Sequence, residues 1–285
     1  MQAVGDQFDP DILHQLSREG SGHYNGLVRK IKGLTMKKIS FQNKLMCMLG
    51  IHFILFFNAV IFNYNSWYLL LAIVLGKIIG YIGNEIGMHR LWSHRSFQTS
   101  KWKENLMHVC AVPLLCGSSI AFAGVHRQHH AYSDTDQDPH QTSSVWKTLF
   151  YIRDSKLKIS PKIISDLIKS PTHRFLHEHY FKINIGILFL SLIIAGPINT
   201  GWFLSGVITY NFIVIGLINI YGHRPNHGSR NFDTNDNSTN NFWLQVLTWN
   251  HGLHNNHHQY PSRHRMNVNP KEFDFPGWLI EKFFI

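Results

Sequence analysis

Apolar positions in this chain fall into two long blocks. From Leu45 to Gly76 there is no Asp, Glu, Lys or Arg, and Asn63-Tyr64-Asn65-Ser66 interrupts the run. Two bilayer-length helices fit, at about 45–62 and 67–86. The second carries Lys77 and, near its end, Glu85, both costly in lipid unless they face protein or snorkel. From Ile183 to Gly222 another 40 residues are free of charge, broken at Gly196-Pro197-Ile198-Asn199-Thr200-Gly201. Gly and Pro end helices and permit turns. The pattern therefore predicts a second hairpin, at about 183–195 and 202–220, with its short first arm reaching back toward Tyr180. A buried soluble helix pair would not keep so long a run clear of charge. The expected fold is all-α and integral to a membrane: four transmembrane helices in two hairpins, with the polar remainder forming a helical cap.

Charge gives the orientation. Arg29, Lys30, Lys32, Lys37, Lys38 and Lys44 precede the first span, basic residues fill the later polar blocks, and neither hairpin tip carries a charge. By the positive-inside rule both termini and the blocks 88–182 and 221–285 face the cytoplasm. One domain is expected over 29–285. Residues 1–28 are polar and mixed in charge, without the apolar core of a signal peptide, and are expected to be poorly ordered. The formal charge of +10 would ordinarily suggest nucleic acid. Here the basic residues flank the apolar spans, which favours anionic lipid and an acidic protein partner over nucleic acid.

Histidine is over-represented, with 20 residues against 3 Cys. Cys47, Cys110 and Cys116 show no metal or redox spacing and are expected to be reduced thiols. The histidines concentrate in three groups within the cytoplasmic blocks: His89-Arg90-Leu91-Trp92-Ser93-His94, His126-Arg127-Gln128-His129-His130 and His254-Asn255-Asn256-His257-His258. On a helix, positions i, i+3 and i+4 share a face, so the imidazoles of the second and third groups can each converge. The first pair, at i and i+5, needs a helix end or a turn. Neutral imidazole binds iron, zinc, copper or nickel. Soluble di-iron bundles add Glu ligands, whereas these groups contain no acid, which implies an all-nitrogen site. Asn219 and His223, at i and i+4 where the last span ends, form a further pair on one face.

These groups, in this order around two apolar hairpins, resemble the membrane fatty-acid desaturases, in the branch of the acyl-CoA (stearoyl-type) desaturases and their bacterial relatives. The likeness extends over the residues following His130 and over Asn231–His258, and covers roughly Leu45 to Pro261. It implies two iron ions held by His89, His94, His126, His129, His130, His223, His254, His257 and His258, with Asn219 supporting a metal-bound water. Aligning Tyr221-Gly222 with the family's aromatic-glycine pair would instead put Asn219 at the ligand position. Keeping His223 as ligand preserves both roles and implies a short insertion at 225–229. Two positions depart from the family. Animal acyl-CoA enzymes carry an Arg-Asp pair before the second histidine group that helps to hold CoA, and here Gly124 and Val125 stand there. Before the third group Asn250-His251-Gly252 replaces Gly-Glu-Gly.

The resemblance implies oxygen-dependent insertion of a cis double bond, delta-9-like, into a long-chain acyl thioester. Acyl carrier protein or a lipid is the alternative carrier, and hydroxylation, acetylene formation or decarboxylation are alternative outcomes. O2 is the co-substrate. No acid or base side chain breaks an unactivated C–H bond, so the metal must supply the oxidant. Asp134, Asp138 and His140 are candidates to orient the imidazoles. Trp92, Phe97, Trp146, Phe150, Trp243 and Trp249 are candidate walls of an acyl tunnel. A separate electron donor, cytochrome b5-, ferredoxin- or rubredoxin-like, would dock on Lys101, Lys103, Lys147, Arg153, Lys156 and Lys158. The membrane would be the inner membrane of a bacterium or the endoplasmic reticulum of a eukaryote. A metal transporter would place ligands inside the spans, which contain only His52, and a non-catalytic receptor would not need every histidine group intact.

Overall fold

The computed structural model describes residues 38–140, 144–149, 159–248 and 252–285. The segment 1–28 therefore lies outside the described residues. The described chain is helical, with only isolated bridges Ser229–Asn240 and Asn240–Leu253 and no named strand.

Helix α1 (Lys38–Phe62) and helix α2 (Ser66–Ser93) are joined at Asn65, whose side chain accepts from the backbone N–H groups of Trp67 and Tyr68 and so caps α2. Helix α3 (Lys101–Ala111) and helix α4 (Ser119–Tyr132) are bent 85° from each other. The corner contains Leu115 and Gly117, both at positive φ (54° and 99°). Helix α5 is the 51-residue run Pro171–Tyr221, and helix α6 is His254–Gln259.

α1, α2 and α5 are each long and apolar enough to cross a membrane. α5 is not one rod. Gly196 has φ 74° and ψ 170°, a conformation essentially reserved for glycine, and Pro197 follows it. The chain turns back there, and Ser191 Oγ meets Thr200 Oγ1 at 3.0 Å across the two arms. The returning arm approaches α1 closely: a Cβ on Gly201 would sit 2.5 Å from the Leu55 carbonyl oxygen. Small residues are what allow helix backbones to meet this way in lipid. His52, on α1, is buried and bonds Ser205 Oγ through Nδ1 at 2.9 Å.

The helices outrun the apolar runs that announce them. α2 continues to Ser93, past the expected end at 86, and α5 begins at Pro171 rather than near 183. Arg174, Glu178 and Lys182 put that first stretch in the polar block 88–182 rather than in a span, and it packs on α4: His173 Nδ1 meets Ser119 Oγ at 2.7 Å and His177 Nδ1 meets Ser118 Oγ at 2.6 Å. The other faces of the long helices expose large apolar side chains, among them Ile54, Phe57, Leu70, Val74, Phe189 and Ile193. Apolar surface on that scale marks a membrane protein.

Candidate metal centre

The last turns of α2 (Tyr81–Ser93) are wound as π-helix, with i→i+5 hydrogen bonds. The His94 N–H continues that pattern by donating to the His89 carbonyl at 3.1 Å. This winding solves the i, i+5 problem of the first histidine pair and brings the two ring centroids to 4.9 Å. α4 presents His126, His129 and His130 from its last turns, α6 presents His254, His257 and His258, and His223 follows the end of α5.

The nine imidazoles converge in two groups. His89, His94, His126, His130 and His257 form one, and His129, His223, His254 and His258 the other, each with candidate ligand atoms within 4.8 Å of one another. In the first group Nε2 atoms touch in a chain: His94 to His126 at 2.8 Å, His126 to His130 at 3.1 Å, His130 to His257 at 2.9 Å and His257 to His89 at 3.0 Å. A ring nitrogen has a single in-plane bonding site, either N–H or lone pair. His126, His130 and His257 each lie between two neighbours and cannot bond both. A cation at the centre satisfies all five lone pairs at once. Adjacent nitrogens about 2.1 Å from a shared ion lie roughly 3 Å apart, which is the spacing seen. In the second group His223 Nε2 lies 3.1 Å from His129 Nε2 and 2.9 Å from His254 Nε2, and His258 Nε2 is buried without a hydrogen-bond partner.

Carboxylates stand behind the rings. Glu85 meets His89 Nδ1 at 3.1 Å, Asp138 meets His129 Nδ1 at 2.9 Å, Asp134 meets His223 Nδ1 at 3.0 Å and Asp236 meets His258 Nδ1 at 2.7 Å. Each holds the proton on Nδ1 and turns the Nε2 lone pair inward. Burial first, then the neighbouring imidazoles, pushes His94, His257 and His258 well below the usual histidine range. They are neutral at pH 7, the form that binds metal. The arrangement can hold metal ions.

The family model described as fatty acid desaturase matches residues 65–269, which include all nine histidines. The chain belongs to the fatty acid desaturase family. It is 34% identical to the sn-1 stearoyl-lipid 9-desaturase of Anabaena variabilis, over 81% of this chain and 86% of the relative. It is 31% identical to delta-9 acyl-lipid desaturase 2 of Arabidopsis thaliana, over 78% of this chain and 73% of the relative. The acyl-CoA C20 delta5-desaturase of Anemone leveillei is also 31% identical, over 81% and 75%. The protein is thus an oxidoreductase, a fatty acyl desaturase.

An apolar cavity runs up to the histidine cluster of this desaturase. Its walls come from α1 (Leu45, Met46), the α3–α4 corner (Leu115), α4 (Ala121, Phe122) and α5 (Phe212, Ile215), and its polar lining includes His126, His140 and Asn219. Asn219 Nδ2 is buried without a hydrogen-bond partner. The His140 ring lies 4.7 Å from that of His129. None of Trp92, Phe97, Trp146 or Trp243 lines this cavity. Trp92 and Phe97 are buried in the core with Ile86 and Met107, while Trp146 and Trp243 are 69% and 70% exposed. Phe150 and Trp249 lie outside the described residues, as do Arg153, Lys156, Lys158, Asn250 and His251. Of the basic residues expected to dock a donor, Lys101 is bonded to Glu104 at 2.8 Å, Lys103 is half-buried beside Trp102, and Lys147 is exposed.

The residues between the histidines also build the candidate site. Arg90, 1% exposed, donates to Glu85 Oε1 at 2.8 Å and to both oxygens of Asp274 at 2.9 Å. Arg127 holds Asp166 and the Trp92 and Ser93 carbonyls. Asn255 and Asn256, both buried, tie α6 to the 231–240 segment and to Glu272. None of these was singled out from sequence. Glu85, four residues before His89, carried a helical-face signal that its apparent cost in a span obscured. Asp236, 22 residues from His258, carried none.

Proposed function

We propose that this desaturase inserts a cis double bond, delta-9-like, into a long-chain acyl group carried on a membrane lipid, using O2 and two iron ions held by the nine histidines. The carrying observation is the pair of imidazole groups whose inward nitrogens cannot satisfy one another by hydrogen bonding. His89, His94, His126, His130 and His257 would hold one iron, and His129, His223, His254 and His258 the other, with Asn219 supporting a water. When bound, the irons supply the oxidising power that takes hydrogen from an unactivated methylene.

The chain's own residues do the positioning. Glu85, Asp138, Asp134 and Asp236 hold the Nδ1 protons and offset the charge of two divalent ions. The cavity beside His126 and Asn219 presents methylenes of an acyl chain to the centre and keeps water away from them. α1, α2 and the two arms of α5 serve as four spans, with the histidine cap and both termini on the cytoplasmic side. A small acidic carrier, cytochrome b5-, ferredoxin- or rubredoxin-like, delivers electrons to that face.

A lipid carrier is supported by the position preceding the second histidine group. A Cβ on Gly124 would lie 3.1 Å from Ile159 Cγ2 and 3.4 Å from Ile164 Cγ2, and Val125 is buried. Gly124 has no side chain and Val125 is apolar and lines the cavity, so neither position supplies the charges of a CoA-holding Arg-Asp pair. Two of the relatives named above are also described as lipid desaturases.

Expression in a desaturase-deficient host, followed by gas chromatography–mass spectrometry of each lipid class, tests this reading. A cis monoene should accumulate on membrane lipid and vanish on His129→Ala or His257→Ala. Purified enzyme should act on lipid-linked stearoyl chains in preference to stearoyl-CoA. An unchanged lipid profile from iron-loaded protein would contradict the proposal.

A further inference from the structure

Apart from the nine histidines, α3 and the start of α5 bring together Glu104, His108 and His173, whose candidate ligand atoms all lie within 4.8 Å. Glu104 and His108, at i and i+4, share one face of α3. His173 Nε2 lies 3.4 Å, and His108 Nε2 4.0 Å, from the same oxygen, Glu104 Oε1. His108 is 6% exposed and its Nε2 has no hydrogen-bond partner. A buried imidazole nitrogen left unpaired is costly unless something occupies the space before it.

The surroundings orient all three groups. Ser119 Oγ meets His173 Nδ1 at 2.7 Å and fixes that ring. The Trp92 indole stacks on His108 with centroids 4.2 Å apart. Lys101 holds the other oxygen of Glu104 at 2.8 Å, so a single oxygen faces the two imidazoles. The His173 hydrogen bond above all, and then Lys101, keeps Glu104 near pKa 2, while burial lowers His108 to about 3. Both are in their metal-binding protonation states at pH 7.

We propose that Glu104, His108 and His173 form a mononuclear zinc-class site, separate from the histidine centre, that clamps α3 to the start of α5 beneath Trp92. Two imidazole nitrogens and one carboxylate oxygen suit a tetrahedral zinc with water in the fourth place. One oxygen donor is too few for calcium or magnesium. Tetrahedral ligands about 2.0–2.1 Å from zinc lie roughly 3.3 Å apart. The Glu104–His173 distance meets this, and His108 closes the remainder by a small movement.

The test is metal analysis of full-length protein purified in detergent after growth with both iron and zinc, by inductively coupled plasma mass spectrometry. The expected content is about one zinc per chain in addition to the iron. Glu104→Gln, His108→Ala and His173→Ala should each lose the zinc and keep the iron. His129→Ala should lose iron and keep the zinc, so failure of this site and failure of the iron centre are distinguishable. Should the histidine variants not fold, Ser119→Ala provides a milder arm, weakening zinc retention against a chelator about tenfold. Added zinc should raise the melting temperature of wild type but not of Glu104→Gln. Equal zinc in wild type and Glu104→Gln, or zinc that disappears with His129→Ala, would overturn the assignment.

Discussion

Glu85 Oε2 lies 3.1 Å from His89 Nδ1, and the two residues stand on the π-wound end of α2. The same carboxylate accepts from Arg90. One buried acid therefore orients a proposed iron ligand and anchors the C-terminal segment that Arg90 grips through Asp274. Its partner on the other group is Asp236 behind His258, at 2.7 Å.

Removing the charge from either acid should weaken iron binding without dismantling the site. For Asp236→Asn, which keeps the volume, iron retention against a chelator should fall roughly 10–100-fold. Glu85→Gln should do the same. Timed chelation followed by metal analysis measures both, and wild-type retention in either variant would contradict the orienting role.

Arg90 and Arg95 should differ sharply in what their loss costs. Arg90→Met leaves Glu85 and Asp274 buried without their counter-charge, an effect of about 3–5 kcal/mol. The Arg95 side chain is 62% exposed and its pairing with Asp166 is a surface one, so Arg95→Ala should cost about 1 kcal/mol or less. Thermal denaturation in detergent separates the two.

The histidine groups were legible because helical spacing places i, i+3 and i+4 on one face whatever the tertiary fold. His89 and His94 were read as a pair needing a helix end or a turn, but the π-winding that joins them was not legible, because it leaves no signature in residue type. The long apolar helices were legible from their lack of charge, but their ends were not. Arg174, Glu178 and Lys182 continue a helix whose inner face is buried through His173 and Tyr180. The carboxylates behind the rings were harder still. Asp134 and Asp138 follow the second group closely and could be suspected, whereas Asp236 arrives from a distant segment held by Asn255. Cavity walls depend on which side of a helix faces inward, and aromatic identity alone did not say that for Trp146 or Trp243.

Acid should weaken the cap at the Arg127–Asp166 contact. Burial raises the Asp166 pKa, but hydrogen bonds from Arg127 and Arg95 outweigh it and hold the carboxyl at about 2. A carboxylate depressed in the folded state contributes stability above its unfolded pKa of about 4 and loses it as pH falls toward the folded value. Asp166→Asn should therefore melt below wild type at pH 7, and the gap should narrow as pH falls toward about 3. A gap that stays constant across that range would contradict the ion pair.

Cavity length should set chain length. Ala121 lines the cavity at the first turn of α4. Ala121→Phe should fill apolar volume and shift the monoene products toward shorter acyl chains, with iron content unchanged. Fatty-acid profiling of the expressing host reads both the ratio and the total.

In the proposed centre, nine imidazoles cage two irons in separate groups of five and four. Iron counting combined with X-ray absorption on purified protein distinguishes this cage from any other arrangement. Wild type should hold two irons per chain with strong imidazole scattering, and His257→Ala and His254→Ala should each weaken a different one. A wild-type protein that binds a single iron, or two irons that persist unchanged in both variants, would contradict it.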